Sequence, residues 1–352
     1  MIKKIMISVS VAMLLAGTAT ADVVLRYAEA SPNRGARAEA LQFFAKDAER
    51  LSNGEVKLDI HWGGALFDFT TSLDGVMNGS ADMGTILGIY NPQKLRVLTI
   101  GDIPQKFSDP WVGMRAMYEL MTTNESVQES LARRNLVYLT GYSSTGVQFE
   151  CGEDAVIHTV DDIKGKRIRA AGNYGKVLND LGANLVSLSA SDTYQALDTG
   201  LVDCSASYLY AMRTLKTHEV ADNVTLAHWG QVSGFASLLN RDTWQEMSDE
   251  QRKALREAGS NTIDFYGERL IDEMTEIVEG LRTGSIGRKV AVYEMAEEER
   301  AKLLAASQKY AHEWVEKVTE DGLDGEGIWN EYLALLTKYE DERDSKGYPW
   351  QR

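Results

Sequence analysis

The sequence predicts an α/β protein of two lobes, joined by a long helix that crosses both. In the first two thirds of the chain, short apolar strands alternate with helices, which indicates a mostly parallel sheet covered by helices. The last third contains long helical stretches with little strand pattern. With 352 residues, of which 44% are apolar and 25% charged, the chain is long enough for two domains with substantial cores.

The first lobe is predicted to begin with a strand at residues 23–28, a Ser-Pro-Asn turn and a helix at about 37–51. Gly54 follows that helix at the position where a terminating glycine is expected. Residues 56–62 alternate between apolar and polar side chains, which is typical of a half-buried strand. A helix near 71–77 and a strand at 83–87 complete this part.

The alternation resumes after residue 138. Strands are predicted near 147–151, 167–170 and 185–188, with helices near 176–181 and 193–199 between them. Ser248 and Gln251 match a capping box, which starts a helix that runs to about residue 281. Further helices are predicted at about 296–320 and 328–341.

The amino terminus has the pattern of a secretory signal peptide. Lys3 and Lys4 precede a short apolar run at residues 5–15, and Ala19 and Ala21 form an A-x-A cleavage site. The apolar run is too short to cross a bilayer as an anchor. We therefore expect residues 1–21 to be removed and the protein to be periplasmic.

The charge balance excludes several classes of function. Lys and Arg total 37 against 52 Asp and Glu, a net charge of −15, which argues against binding to nucleic acid or to an anionic membrane surface. Five His and two Cys leave little material for a zinc cluster. The sequence has no GxSxG, HExxH, Walker A or GxGxxG motif. We expect no catalytic residues, no metal and no cofactor.

Arg169 is the residue that the pattern marks for binding. A turn at residues 163–166 leads into a short strand with Arg169 at its carboxyl end, and Gly172 precedes the next helix. Ligands of open α/β sheets bind beyond the carboxyl ends of the strands, and a guanidinium there can hold a carboxylate with two parallel hydrogen bonds. For Arg167, on the same strand, we favour a surface position.

The two cysteines allow two readings. In an oxidising compartment Cys151 and Cys204 can form a disulfide, but cysteines are also often buried as free thiols. The sequence pattern leaves both open.

Three blocks in order resemble one family: D-I-K-G-K-R-I-R at 162–169, L-G-A at 181–183, and T-Y-Q-A-L-D-T-G-L-V-D at 193–203. They are similar to the solute receptors of tripartite ATP-independent periplasmic (TRAP) transporters, the DctP-type proteins. The segments L-S-N-G-E-V at 51–56 and V-M-N-G-S-A-D-M at 76–83 agree with the same family. The resemblance covers nearly the whole chain after the signal peptide.

The resemblance implies a two-lobed fold like that of periplasmic binding proteins, which closes over an organic acid and performs no chemistry. It puts the family's ligand-clamping arginine at Arg169. We expect lobe I to comprise residues 22–146 and about 235–275, lobe II residues 147–234 and about 276–325, and a helical extension residues 326–352. The implied partners are a small organic anion, a carboxylate or sulfonate, and the membrane subunits of a TRAP permease, with no nucleic acid. We expect a monomer.

Four positions depart from the family pattern. Gln148 stands where the family often has an arginine, Ser207 replaces a common amide, and Ala190 replaces a frequent aromatic residue. Cys204 stands in place of a glycine, which makes a bond to Cys151 more plausible. We include Gln148 and Ser207 among the candidate ligand-binding residues.

The other candidates lie near predicted strand ends. They are Asn173, Tyr208, Trp229, Tyr90 and Phe67, with Tyr174, Tyr210 and Trp62 as further aromatic residues. One arginine, one amide and several rings favour a small monocarboxylate or sulfonate with an apolar body. Two alternatives are a binding protein of the ABC type and a periplasmic enzyme that uses the same cleft.

Overall fold

The computed structural model describes residues 22–352, so the predicted signal peptide lies outside the described residues. Residues 22–352 form eleven strands and eleven α-helices. The strands are β1 (Val23–Ala28), β2 (Val56–His61), β3 (Met83–Leu87), β4 (Leu136–Tyr142), β5 (Val147–Cys151), β6 (Arg167–Arg169), β7 (Asn184–Val186), β8 (Cys204–Ser207), β9 (Asn223–Trp229), β10 (Phe235–Asn240) and β11 (Ala291–Glu294). The helices are α1 (Ala36–Leu51), α2 (Ser72–Met77), α3 (Pro110–Thr123), α4 (Glu125–Ala132), α5 (Gly172–Asp180), α6 (Thr193–Asp198), α7 (Leu209–Leu215), α8 (Arg241–Glu246), α9 (Asp249–Thr283), α10 (Glu297–Glu320) and α11 (Gly325–Lys346).

The strands form two separate sheets. Sheet A has the order β2-β1-β3-β10-β4, and sheet B has the order β11-β9-β5-β8-β6-β7. We call the part of the molecule around sheet A lobe I and the part around sheet B lobe II. The residue boundaries of the lobes given above stay a prediction.

Each sheet contains one strand that runs against the others. β10 is antiparallel to β3 and β4, and β5 is antiparallel to β8 and β9. Both strands come directly after the chain has crossed between the lobes, along residues 143–146 and 230–234. A chain that leaves one sheet at its carboxyl edge enters the other at the same edge, so the first strand after the crossing must run backwards. The sheets are therefore mixed, where the sequence predicted a mostly parallel one.

The long helix α9 crosses both lobes, as predicted. It begins at the Ser248–Gln251 capping box and ends at Gly284, which has a φ of 82°. Phe265 stacks on Phe43 of α1 in lobe I, with ring centroids 4.4 Å apart. Gly259 lies so close to β4 that a Cβ there would meet the Leu139 carbonyl oxygen at 2.2 Å. Further along, α9 packs on α7 and β11 of lobe II.

The carboxyl-terminal segment packs on lobe I rather than projecting as a separate unit. Lys338 and Tyr339 on α11 both bond to Glu119 of α3. Beyond α11, the Tyr348 hydroxyl donates to Asp109, the residue that caps α3. These contacts hold residues 325–351 along α3.

Cys151 and Cys204 form a disulfide between β5 and β8. The two residues are directly opposed in the antiparallel register of these strands. Phe149, two residues before Cys151, lies in the core on the same face of the sheet. Residues at the odd positions of β5 thus build the core, whereas Gln148 and Glu150 point to the other face.

Candidate functional site

A cleft lies between the lobes at the carboxyl edges of both sheets. It contains a cavity of about 40 Å³. Lobe I contributes Ser31, Arg37, Phe69, Leu87 and Phe235 to its wall, and lobe II contributes Ala190, Tyr208, Tyr210, Ala211, Thr214 and Leu215. This is where ligands of α/β sheets are expected to bind.

The lobes touch directly around this cavity. The backbone N–H of Ala190 donates to the Tyr90 hydroxyl at 3.1 Å, and Arg34 Nε donates to the Thr214 carbonyl oxygen at 2.7 Å. Both contacts join lobe I to lobe II. The small cavity and these bridges together describe a conformation in which the lobes are close.

Arg169 ends β6 as predicted and is 6% exposed. Its Nε and Nη2 atoms both donate to the Leu188 carbonyl oxygen at 3.3 Å, in the loop that leads to Ala190. Residues 22–352 contain two buried arginines, Arg37 and Arg169. Arg37 forms an ion pair with Glu29, whereas Arg169 has no ion-pair partner in this part of the chain. A buried guanidinium that makes no salt bridge is suited to an anionic ligand.

Arg37 and Glu29 were missed by the sequence analysis. Arg37 Nη2 lies 3.3 Å from Glu29 Oε1, which also accepts a hydrogen bond from the Ser31 N–H at 2.6 Å. Burial is the largest single effect and opposes the charge on Arg37, but Glu29 and the nearby tyrosines together outweigh it, and the pKa of Arg37 is raised. A signal was present, because Glu29 directly follows β1 and so meets the same strand-end rule that identified Arg169.

Aromatic rings form the walls of the cleft. Tyr208 stacks on Tyr210 with ring centroids 5.1 Å apart, and Phe235 lies 6.3 Å from Tyr208. Arg37 lies over the Phe69 ring at 5.5 Å. Burial raises the pKa of the Tyr208 hydroxyl, and both Arg169 and Arg37 act against that rise. Tyr208 is therefore close to both guanidiniums, one from each lobe.

A row of polar residues lies beside Arg169 on the same face of sheet B. Gln148 is paired with Ser207, and Glu150 with Ser205, which is in turn paired with Arg169. The Gln148 amide oxygen accepts the His228 N–H at 2.9 Å, so this side chain is engaged within lobe II. Arg37 brings the second buried guanidinium of the cleft, from the opposite lobe.

Of the eight residues predicted to bind ligand, Tyr208 is the one that lines the described cavity. Arg169, Gln148, Ser207 and Tyr90 do not line it, and the other three belong to different parts of the fold. Trp229 is fully buried between sheet B and α10, where its Nε1 donates to Ser307 at 3.2 Å. Phe67 covers α2, so closely that a Cβ on Gly75 would meet its ring at 2.5 Å. Asn173 accepts a hydrogen bond from Lys176 at 3.1 Å in a separate groove. Most aromatic residues serve the core, and a strand-end position alone did not separate Trp229 from them.

The separate groove is larger, about 480 Å³, and is lined by α5, α10 and the loop after β3. Its cations are largely balanced within the chain, with Arg96 paired to Asp321 at 2.6 Å and Lys317 to Glu313 at 3.7 Å. We therefore place the binding site in the smaller cavity, which has the unpaired buried arginine beside it.

Comparison with known proteins identifies the family. The chain matches the bacterial extracellular solute-binding protein family 7, the DctP family, over residues 27–317. It belongs to this family. The match confirms the resemblance found in the sequence and identifies the chain as a solute receptor that acts outside the cytoplasm. Within residues 22–352, none of the helices combines the length and apolar character needed to cross a membrane.

Individual relatives are distant in sequence. The C4-dicarboxylate-binding periplasmic protein DctP of Rhodobacter capsulatus is 24% identical over 264 residues, which cover 73% of this chain and 76% of that protein. A solute-binding protein of Chromohalobacter salexigens is 24% identical over 63% of this chain and 66% of its own length. A TRAP solute-binding protein of Rhodoferax ferrireducens, solved with copurified benzoate, has a TM-score of 0.78 at 18% identity and covers 91% of this chain and 99% of its own. This structural neighbour confirms the two-lobed fold.

Proposed function

We propose that this receptor captures a small organic acid with a single negative charge and an apolar body, and delivers it to the membrane subunits of a TRAP permease. The observation that carries the proposal is Arg169, a buried guanidinium with no ion-pair partner among the described residues. A ligand carboxylate or sulfonate would accept charge-assisted hydrogen bonds from this guanidinium, whose donors otherwise reach only a backbone carbonyl.

The charge that we propose for the ligand follows from the ion pair between Arg37 and Glu29. Glu29 neutralises Arg37, so Arg169 is the buried cation without an ion-paired acid. A second carboxylate on the ligand would meet Arg37, whose charge Glu29 already balances, and would find no further unpaired cation among the described residues of the cavity wall. The rings of Tyr208, Tyr210, Phe69 and Phe235 favour an apolar body.

The relatives support an organic acid as the ligand class. Benzoate copurified with the Rhodoferax ferrireducens protein, and the Rhodobacter capsulatus protein is named for C4-dicarboxylates. We favour a monocarboxylate over a dicarboxylate because of Glu29. We also propose that this chain binds without turnover, binds no nucleic acid and is monomeric. A monomer agrees with the exposed large apolar side chains of residues 22–352, which lie on different elements of the fold and form no single patch: Val24, Leu201 and Tyr293.

A thermal-shift screen of aromatic and aliphatic carboxylates and sulfonates tests the proposal. The Arg169→Gln variant should lose about 2 kcal/mol or more of binding free energy, about 30-fold or more in Kd, because the anion would be buried without its cation. Arg167→Gln is the matched control, since Arg167 lies on the same strand but is exposed and paired with Asp203.

Two results would contradict this function. An unchanged shift in Arg169→Gln would remove Arg169 from the site. Chemical turnover of a bound acid, followed by mass spectrometry, would favour the periplasmic enzyme instead.

A further inference from the structure

Glu150 is a carboxylate buried beside the binding arginine. It is 0% exposed and lies on β5, one strand beyond Ser205, which separates it from Arg169 in the register of sheet B. Thr217 donates its hydroxyl to Glu150 Oε2 at 2.5 Å. The other oxygen, Oε1, and the Ser205 hydroxyl have no hydrogen-bond partner among the described residues.

Arg169 is the one cation among the groups of the described residues that act on the pKa of Glu150. Ser205 and Ser207 face it from β8, Thr217 from the turn after α7, and Arg169 from β6. On β9 its register partner is the apolar Val224. Burial raises the pKa of Glu150 to about 7, while Thr217 and Arg169 act in the opposite direction. The charged form of Glu150 is therefore stabilised by the Thr217 hydrogen bond and, next in order, by the field of Arg169, with smaller contributions from Ser205 and Ser207.

We propose that Glu150 takes up a proton from solvent when an anion binds at Arg169, so that the receptor captures its ligand together with up to one proton. The inference rests on the proposed function, because it requires an anion at Arg169. A bound anion offsets the field of the guanidinium that stabilises the carboxylate of Glu150. The neutral carboxylic acid then becomes the favoured form.

The charge balance of the site supports this coupling. With Arg37 paired to Glu29, an ionised Glu150 and Arg169 sum to zero, and a bound monoanion would leave one excess negative charge in a buried site. One proton on Glu150 restores neutrality. The protonated acid can also donate a hydrogen bond to the Ser205 hydroxyl oxygen, which has no other partner among the described residues.

The first experiment needs no organic ligand. Carbon-13 NMR of glutamate-labelled protein follows the carboxyl resonance of Glu150 between pH 5 and pH 9. This resonance is assigned by its absence in the Glu150→Gln variant. In Arg169→Gln the midpoint of this titration should move to higher pH, whereas Arg169→Lys, which keeps a cation, should stay near the wild type. An identical midpoint in wild type and Arg169→Gln would overturn the coupling, as would a midpoint in the ordinary range of exposed glutamate.

The second experiment measures the coupling with benzoate as the probe. Calorimetry in two buffers of different ionisation enthalpy should show proton uptake by the wild type near pH 7.5 and none by Glu150→Gln. The Kd of the wild type should rise by up to about tenfold for each pH unit above about 7, and that of Glu150→Gln should stay flat. Glu153→Gln, an exposed acid after the same strand, should behave as the wild type.

The outcomes separate this inference from the proposed function. Benzoate binding that depends on Arg169 but releases or takes up no proton would overturn the role of Glu150 and leave the receptor function intact. If benzoate does not bind, the NMR comparison of wild type with Arg169→Gln decides the inference alone. If no acid of the screen binds, the proposed function fails.

Discussion

At the scale of single residues, the cleft holds two arginines whose charges are balanced differently. Arg37 is held by Glu29 in an ion pair whose side chains are 10% and 2% exposed. Arg169 is held by a backbone carbonyl, which accepts hydrogen bonds but carries no full charge. Arg37 of the ion pair lies in the lobe I wall, and Arg169 is the buried arginine without a salt bridge for which we propose a bound anion.

Removing Arg37 should destabilise the fold. Arg37→Gln leaves Glu29 buried without its cation, and breaking a buried pair in this way costs about 3 kcal/mol or more in the free energy of unfolding. The double variant Glu29→Gln, Arg37→Gln should recover part of this loss, because neither charge remains. Urea denaturation of the three proteins measures the effect.

Arg50→Gln is the control for this series. Arg50 also pairs with a buried acid, Asp47, but Arg50 is 65% exposed and Asp47 keeps a hydrogen bond from Asn261, so the loss of Arg50 should cost less stability than that of Arg37. An Arg37→Gln protein as stable as the Arg50→Gln protein would show that the buried pair does not contribute as described.

The strand-end position of Arg169 could be predicted from the sequence, but its buried neighbours could not. The strand-end rule and the family pattern both pointed to that position. Arg37 lies at the start of α1, and only the packing of α1 against β1 brings it to Glu29. Glu150 lies within a strand, so its burial beside Arg169 depends on the strand order of sheet B, which a sequence pattern does not reveal.

At the scale of secondary-structure elements, the disulfide ties the two strands that support the polar face of sheet B. Cys151 and Cys204 point to the core, while Glu150 and Ser205, their neighbours along the strands, point to the other face. The bond therefore links the two strands on the core face of sheet B, opposite the polar residues, and does not line the cavity.

Replacing both cysteines by serine should lower stability without abolishing binding. The bond joins residues 53 apart in sequence, and closing a loop of this length is expected to contribute about 2 to 4 kcal/mol to the free energy of unfolding. Denaturation of the double variant and of the reduced wild type should give similar midpoints. A midpoint unchanged from the oxidised wild type would contradict the prediction.

Elements with a clear periodicity were predicted well. The strands at 83–87 and 147–151 have the bounds that alternation and composition gave them. α5 begins at Gly172, four residues before the predicted start. The prediction started the helix too late because Gly172 and Asn173 are poor helix formers by propensity. The reversed direction of β5 and β10 could not be predicted, since strand direction depends on the crossing between lobes and not on local pattern.

At the scale of the whole molecule, the two crossing segments run side by side. The Ser144 N–H donates to the Val232 carbonyl oxygen and the Val232 N–H donates to the Ser144 hydroxyl, both at 2.8 Å. Together with α9 and the turn at residues 321–324, where the chain passes from α10 back to α11 on lobe I, they form four chain connections between the lobes within residues 22–352. Hinge closure about such connections is the expected motion of a two-lobed receptor.

Tyr90 offers a way to weaken the closed conformation alone. Tyr90→Phe keeps the stacking on Phe69 but loses the hydrogen bond from Ala190 across the cleft. A hydrogen bond contributes about 0.5 to 1.5 kcal/mol, so the Kd for an identified ligand should rise about 2- to 10-fold.

Small-angle X-ray scattering of wild type and Tyr90→Phe should show a larger radius of gyration for the variant at subsaturating ligand. The same curves give the molecular mass, which we expect to be that of one chain. Tyr293→Phe, on the exposed edge strand β11, should match the wild type in both measurements. Equal affinity and equal dimensions for Tyr90→Phe would show that this bridge does not hold the lobes together.

The position of β10 has a consequence for how the chain is made. β10 lies between β3 and β4 in sheet A, yet ribosomes synthesise it after β5 to β9 of sheet B. β4 pairs only with β10, so sheet A stays divided until residue 240 has been added. Five of the six strands of sheet B exist by then. During synthesis and export, lobe I is thus the lobe whose assembly must wait, although its first residues are the earliest to emerge.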